Sequence, residues 1–571
     1  MTIIDIFYHI FLKYGKIKIN LTFMRKFLGI KGVRVYFTAL LVLGSVFLTA
    51  YSYLAYQALG QESAFNRPVF NSPDETSNYF FTKLFAEHQT LKFQDPANAI
   101  AQGLVSPRSM RVINGFTAPA SFLGLPFIYG LLAKITGSHF IVFFTPILAI
   151  IGIIFFYLLG KDLFNKRTAL IASSLAFILP AFWYYAGKGM MANIAFMSFF
   201  IITLYFLNQS LSNGALWAYL SFGLFLALTL MIRTSEVVWL APLLLLIFIF
   251  NFKKIVWWHL FFAILFFILI FSPILFFNQQ IYGSIFSVGY SLNLTGDKTG
   301  FLPQSLSLMG SIFLPFGFHP RAALTHLFDY TVSLFPLWTA VMAAGWLGFF
   351  IRSVYLLFKK RSKAEPLYFL LFTLTAAYLV IFYGSWTFND NPDPEAITIG
   401  TSYARYWLPL YLFSLPPLAV ILDKFLGRFK TALPVFCIFL FSALFLTSYQ
   451  LVMLDSQEGL VKVNENVLVY QQIANETAKV TESNAVIIAG KMDKAFFPLR
   501  RVIFQLNVSA DYVKIKELLT TGYPVYLFHF KLKDEELDFL SRKDFSAFNL
   551  KLDKSVVDFS NQSLYPIKLI P

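Results

Sequence analysis

The sequence predicts an all-α polytopic membrane protein of about 11–12 transmembrane helices, closing in a small extracytoplasmic α/β domain. Three observations predict it. Hydrophobic residues make up 57% of the 571-residue chain and charged residues only 13%, where soluble globular domains carry about 25% charged residues. The apolar residues gather in runs, most of them approaching the ~20 residues that a helix needs to cross hydrocarbon. Near residue 455 the composition changes: charge returns and the apolar runs become short and β-rich.

The apolar runs fall near 35–56, 116–135, 139–160, 168–186, 190–207, 215–232, 236–251, 255–277, 332–357, 367–385, 404–422 and 432–453. Basic residues cluster in the spacers 161–167, 251–254, 359–363 and 423–430. The net charge of +16 therefore reads as cytoplasmic loops beside an anionic leaflet, and not as a nucleic-acid surface. The basic segment 1–34, with Lys13, Lys16, Lys18, Arg25, Lys26, Lys31 and Arg34, precedes the first run without a small-residue cleavage site. It reads as a cytoplasmic segment ahead of a retained signal-anchor helix. The single cysteine, Cys437, allows neither an intramolecular disulfide nor a thiolate metal site.

With those basic spacers held inside, the crossings alternate without conflict from residue 161 onward. The loops 57–115, 278–331 and 386–403, and everything after 454, fall outside. The stretch 116–160 begins outside and ends inside, yet it holds two apolar runs. Its first run contains Pro119, Gly124, Pro126 and Gly130 and reads as a re-entrant or interfacial helix, which leaves about eleven crossings. The membrane domain is thus 35–454. The extracytoplasmic domain is 455–571, with strands expected at 484–488, 501–506 and 524–530 and a helix at 533–540. It shows no catalytic motif and reads as a lid or an acceptor-docking module.

The first external loop carries Asn71-Ser72-Pro73-Asp74-Glu75, followed by an amphipathic stretch, 79–93, with Phe80, Leu84 and Phe85 at helical spacing. Such a stretch is expected to lie along the membrane surface. An acidic pair at a helix start suits the orphan amides and the dipole. Just beyond the first span, the same carboxylate is placed to act as a general base toward an acceptor hydroxyl or amine. Late in the chain, Thr401-Ser402-Tyr403-Ala404-Arg405-Tyr406 opens a helix from the outer side and runs into Pro409. Tyr290 and the turn His319-Pro320-Arg321 belong to the second external loop. Asp390, Asp393 and Glu395 form a carboxylate group of the type that holds a divalent cation, but their proline-rich string reads more simply as a stiff, solvated loop. No metal or other cofactor is expected.

The order and sidedness of these features resemble the GT-C glycosyltransferases, and within them the protein O-mannosyltransferase and lipid A aminoarabinose transferase branch. There an Asp-Glu pair follows the first span, then an interfacial helix, then a Pro/Gly-containing apolar segment. Asp74, Glu75, the stretch 79–93 and the segment 119–130 follow that order, and 401–409 resembles the late Arg-Tyr-x-x-Pro motif. The resemblance covers roughly residues 30–450. It implies inverting transfer of a sugar from a polyprenyl-phosphate donor to a glycan, lipid or protein acceptor on the outer face of the membrane; the style of the sequence points to a plasma membrane. Asp74 would be the base and Glu75 its orienting or acceptor-binding partner. Arg405, Arg233 and Lys188 would meet the leaving phosphate, although Arg233 and Lys188 also suit snorkelling at the interface. Tyr79, Asn193, Tyr290, His319, Arg321, Tyr403 and Tyr406 would line the substrates. The sequence departs from the pattern at Asn78, where His or Tyr is usual, and at Asn193, where many members place a second acid. A transporter or flippase of a lipid-linked substrate is the alternative; it predicts charges along a path near the bilayer midplane.

Overall fold

The computed structural model of the chain describes residues 33–57, 68–290, 313–361, 363–388, 393, 396–428 and 433–570. The basic segment 1–32 and the acids Asp390 and Glu395 lie outside the described residues. Among the described residues, eight helices are long and apolar enough to cross a membrane, or up to ten if each of two bent pairs is one span. One pair, Lys166–Ile178 and Pro180–Gly187, bends by 57° at Pro180, whose ring removes a hydrogen bond from the helical ladder. The other, Leu216–Ile232 and Thr234–Phe250, turns through 116°, so the chain doubles back around Arg233. The expected re-entrant run resolves into a strand, Phe116–Pro119, and a short apolar helix, Gly124–Thr136. The run 404–422 is likewise broken, into Ser402–Tyr406, Leu408–Phe413 and Leu415–Arg428.

Lipid tails supply no hydrophobic drive between helices, so close packing of small residues has to hold the bundle. Gly223 shows this. A Cβ there would stand 2.4 Å from the carbonyl oxygen of Ala263, and the helices Leu216–Ile232 and Trp257–Tyr282 touch backbone to backbone at that point.

The acidic helix runs Pro73–His88, which corrects the expected stretch 79–93. Ser72 caps it, accepting a hydrogen bond from the Asp74 amide, and Pro73 takes the first turn, where its missing N–H has no cost. One face of the helix is packed, with Glu75, Asn78, Phe81, Thr82 and Phe85 buried, while Lys83 and Glu87 stand exposed on the other. Two small sheets complete the fold. Strands β1 (Phe93–Gln94), β2 (Met110–Ile113) and β3 (Phe116–Pro119) form an antiparallel sheet in the order β1-β3-β2. In the C-terminal region, β4 (Val486–Ile488), β5 (Arg501–Ile503), β6 (Val525–Phe530), β7 (Leu550–Leu552), β8 (Val557–Asp558) and β9 (Gln562–Leu569) form a mixed sheet in the order β5-β4-β6-β9-β7 with β8 on β9. The expected strands and the helix Asp534–Leu540 are all present.

The C-terminal region is not a separate body hung below residue 454. Alternation along β4 sends Val486 and Ile488 to one core and Ile487 to another. The first core is shared with Ala97, Ala101 and Val105 of the first loop, and Ser106 pairs with Ile503 as an added bridge on the sheet. The second core is continuous with the membrane helices. Phe497 meets Phe80 of the acidic helix with ring centroids 4.9 Å apart.

Candidate active site

The first turn of the acidic helix sends its two carboxylates to different cations. Asp74 Oδ2 is 3.1 Å from Arg405 Nη1, and Asp74 Oδ1 accepts a 2.6 Å hydrogen bond from the Ser109 hydroxyl. Glu75 Oε2 lies 3.7 Å from Lys188 Nζ. The Asp74 side chain is 30% exposed and that of Glu75 only 4%, so Asp74 is the more accessible of the two. Burial disfavours the charge on Asp74, but Arg405 and the Ser109 hydroxyl outweigh it and hold the carboxyl below its ordinary range. For Glu75 burial dominates, joined by the neighbouring Asp74 charge, and its carboxyl is pushed up despite Lys188. Adjacent acids thus differ in proton affinity because Arg405 and Ser109 outweigh the burial of Asp74, whereas Lys188 does not outweigh the deeper burial of Glu75.

Arg405 is held from several sides. Its Nη2 donates to Ser402 Oγ at 2.8 Å, one helical turn back. Its backbone carbonyl accepts a 3.3 Å bond from Asn193 Nδ2. The Tyr406 ring lies 5.1 Å from the Arg405 guanidinium and 4.6 Å from that of Arg233, so one aromatic face system serves two cations. Arg233 Nε is itself bonded to Glu236 Oε1 at 2.7 Å. The same oxygen accepts from Tyr383 O–H at 2.6 Å, and Glu236 Oε2 accepts from the Trp239 indole. Arg233 and Lys188 are 8% and 7% exposed. Snorkelling into solvent is excluded by that burial and by their carboxylate partners.

The two amides at the departures from the family pattern act as fasteners. Asn78 Nδ2 donates to the Met190 carbonyl at 2.9 Å, and Asn193 holds Arg405 as above. The turn carrying Lys188 also needs Gly189, since a Cβ there would come within 2.8 Å of the Val142 carbonyl oxygen; the Gly189 carbonyl in turn accepts from the Thr145 hydroxyl at 2.6 Å.

The remaining expected residues divide. Tyr290 packs on Phe122 at 5.3 Å and remains partly exposed. Tyr79 packs on Phe70 at 5.4 Å. Tyr403 points elsewhere, to His326 Nε2 at 3.2 Å and the Trp386 carbonyl. His319 and Arg321 are exposed at the start of the helix Pro320–Leu327, and among the described residues neither bonds to Asp74 or Arg405. No group of three His, Cys, Asp or Glu able to hold a metal ion occurs among the described residues.

Sequence reasoning missed Ser109, Ser402 and Glu236, and also Arg108, Asp493 and Lys494. Lys494 Nζ donates to the Asn71 carbonyl, beside the acidic pair; burial first, then the Arg108 charge, lowers its ammonium to about 8. An apolar cavity of about 920 Å³ lies between the helices, running from Asp162, Lys254 and Lys363 to Trp239 and Phe413.

Comparison with known proteins bears on the fold. Residues 121–277 match the family model described as dolichyl-phosphate-mannose-protein mannosyltransferase. The fold is similar to that of ArnT from Cupriavidus metallidurans in the apo state, with a TM-score of 0.54 at 9% identity over 91% of this chain and 97% of that one. It is similar as well to the same protein bound to undecaprenyl phosphate, with a TM-score of 0.52 at 8% identity over the same shares, 91% and 97%. The Archaeoglobus fulgidus oligosaccharyltransferase in the apo form follows at 0.50 and 12% identity, over 87% of this chain and 70% of that one. No curated protein sequence matches significantly. The resemblance to GT-C membrane glycosyltransferases read from the sequence is borne out in the fold.

Proposed function

We propose that this chain transfers a sugar from a polyprenyl-phosphate-linked donor to an acceptor on the outer face of the plasma membrane, with Asp74 as general base. The observation that carries the reading is the meeting of Asp74 and Arg405 at 3.1 Å. A base for the acceptor and a cation for the leaving phosphate stand side by side, as the reaction requires. The ArnT complex with undecaprenyl phosphate supports a polyprenyl phosphate as the carrier.

In the step proposed, the acceptor oxygen or nitrogen forms a bond to the anomeric carbon while the bond from that carbon to the phosphate oxygen breaks. The electron pair leaves with the carrier phosphate, and the acceptor's proton passes to Asp74. Arg405 neutralises the departing phosphate with its planar fork. As the guanidinium turns to phosphate, Asp74 loses its main counter-charge and its proton affinity rises, so donor binding itself arms the base. Arg233 stays with Glu236 and supports the ring of Tyr406. The apolar cavity ending at Trp239 accepts the carrier's hydrocarbon chain. The reading needs no metal, because arginine supplies the positive charge.

Purified protein in nanodiscs, offered a panel of polyprenyl-phosphate sugars, tests this. Transfer or donor hydrolysis is expected, unchanged by EDTA and strongly reduced in Asp74→Asn. Full activity in that variant removes Asp74 as base; silence across the panel removes the reaction.

A further inference from the structure

We propose that Asp493, in the C-terminal region, is a positioning residue for the Asp74 carboxylate, acting through Arg108 and Ser109. The proposal rests on the reading of Asp74 as the base.

The argument is a continuous line of bonds. Asp493 is fully buried, at 0% exposure. Its Oδ2 accepts from the backbone N–H of Arg108 at 2.7 Å, and its Oδ1 accepts from Arg108 Nε at 3.0 Å and Nη2 at 2.7 Å. The same Nη2 donates to the Lys491 carbonyl at 2.8 Å. An ion pair between side chains alone would join two surfaces. Gripping the backbone amide as well fixes the Pro107–Arg108 peptide plane, one residue ahead of Ser109. Ser109 has φ of +60°, a left-handed conformation that residues with a Cβ seldom adopt. Its carbonyl is pinned by the Ala120 amide at 3.0 Å and the Ser77 hydroxyl at 2.9 Å. The Ser109 hydroxyl is thereby aimed at Asp74 Oδ1, 2.6 Å away. The next residue after Asp493, Lys494, bonds to the Asn71 carbonyl on the other side of the acidic pair. Two consecutive residues of the C-terminal region thus hold both flanks of the helix start that carries Asp74.

A bond from Ser109 stabilises the Asp74 carboxylate over its acid form, so loosening that bond raises the pH at which Asp74 takes up its proton. The test uses the full chain in nanodiscs, with Asp493→Asn, Ser109→Ala, the double variant and Arg108→Lys. In Asp493→Asn, kcat is expected to fall about 10-fold with KM for acceptor within about 2-fold, and the acidic limb of the pH profile moves to higher pH. Ser109→Ala moves the limb the same way, and the double variant moves it no further, since the two residues act on one path. An unmoved limb in Asp493→Asn, or shifts that add in the double variant, overturns the proposal. Arg108→Lys, which keeps the charge but loses the fork, gives the same readings if Asp493→Asn fails to fold. Hydrogen exchange supplies a readout independent of turnover: Asp493→Asn is expected to raise exchange in residues 71–78 and 106–112, and unchanged exchange there overturns the coupling. Absence of transfer in the parent protein removes the proposed reaction, and the exchange result then decides the coupling by itself.

Discussion

Asp74 and Arg405 stand 331 positions apart in the chain and 3.1 Å apart in space. One belongs to the first turn of the helix after the first span, the other to a five-residue helix that follows the late loop. In the proposed reaction, their meeting sets how the two substrates approach each other.

Replacement of Asp74 by Asn keeps the shape and removes the proton acceptor. A lost general base lowers turnover by about 10²–10⁴-fold, and single-turnover release of polyprenyl phosphate measures it. Arg405→Lys keeps the charge but not the parallel pair of donors, and transfer is expected to fall about 10-fold or more.

The pH dependence of transfer follows from the lowered carboxyl of Asp74. Its base form is present above its folded value and is lost as pH falls through that value. The acidic limb of kcat/KM therefore lies below the ordinary carboxylate range for the free enzyme. In Arg405→Gln, where the counter-charge is gone, the limb moves to higher pH. A limb that stays in place in that variant removes Asp74 as its source.

Glu236 holds Arg233, Tyr383 and Trp239 at once. Glu236→Ala leaves a buried guanidinium without its carboxylate, which costs about 3–5 kcal/mol. Thermal unfolding in detergent is expected to show a clear fall in the midpoint, and Glu236→Gln, which retains an acceptor, a smaller one.

Lys494 titrates near 8 in the folded chain against an ordinary 10.5. Between these values the unfolded chain binds a proton that the folded chain has released, so stability rises with pH across that window. The gain is complete above about 10.5 and absent below about 8. Lys494→Met is expected to flatten this rise in denaturant titrations run from pH 8 to 10.5; an identical slope in the variant contradicts the assignment.

Leu243 lines the apolar cavity beside Trp239. Leu243→Trp fills part of it, and overpacking of this type costs about 1–3 kcal/mol. KM for a long-chain donor is expected to rise about 10-fold, which corresponds to 1.4 kcal/mol, while a donor with a short chain is unaffected. Equal effects on both donors place the chain elsewhere.

The membrane helices and the acidic pair were legible because both depend on local signals: apolar length for the spans, and Ser-Pro-Asp-Glu for a helix start. Arg405 was legible through its short motif. What escaped were groups whose role comes only from juxtaposition. Nothing around Ser109 sets it apart in the sequence, since its conformation is imposed by Asp493, Ala120 and Ser77. The break at Pro180 was hidden because apolar residues continue on both sides of it, whereas the break at Arg233 already separates the runs 215–232 and 236–251. The stretch 79–93 was placed too late because Phe80, Leu84 and Phe85 outweighed the capping signal of Ser72 and Pro73. The C-terminal region looked separate because composition marks its boundary, whereas the bridge from Ser106 to Ile503 leaves no trace in composition.

The grip of Asp493 on Arg108 also sets a timetable. A ribosome releases Arg108 long before Asp493, which comes 385 positions later, so during synthesis the first loop waits unfinished while the whole bundle inserts. A product cut short after the final span would lack the carboxylate that grips the Arg108 amide.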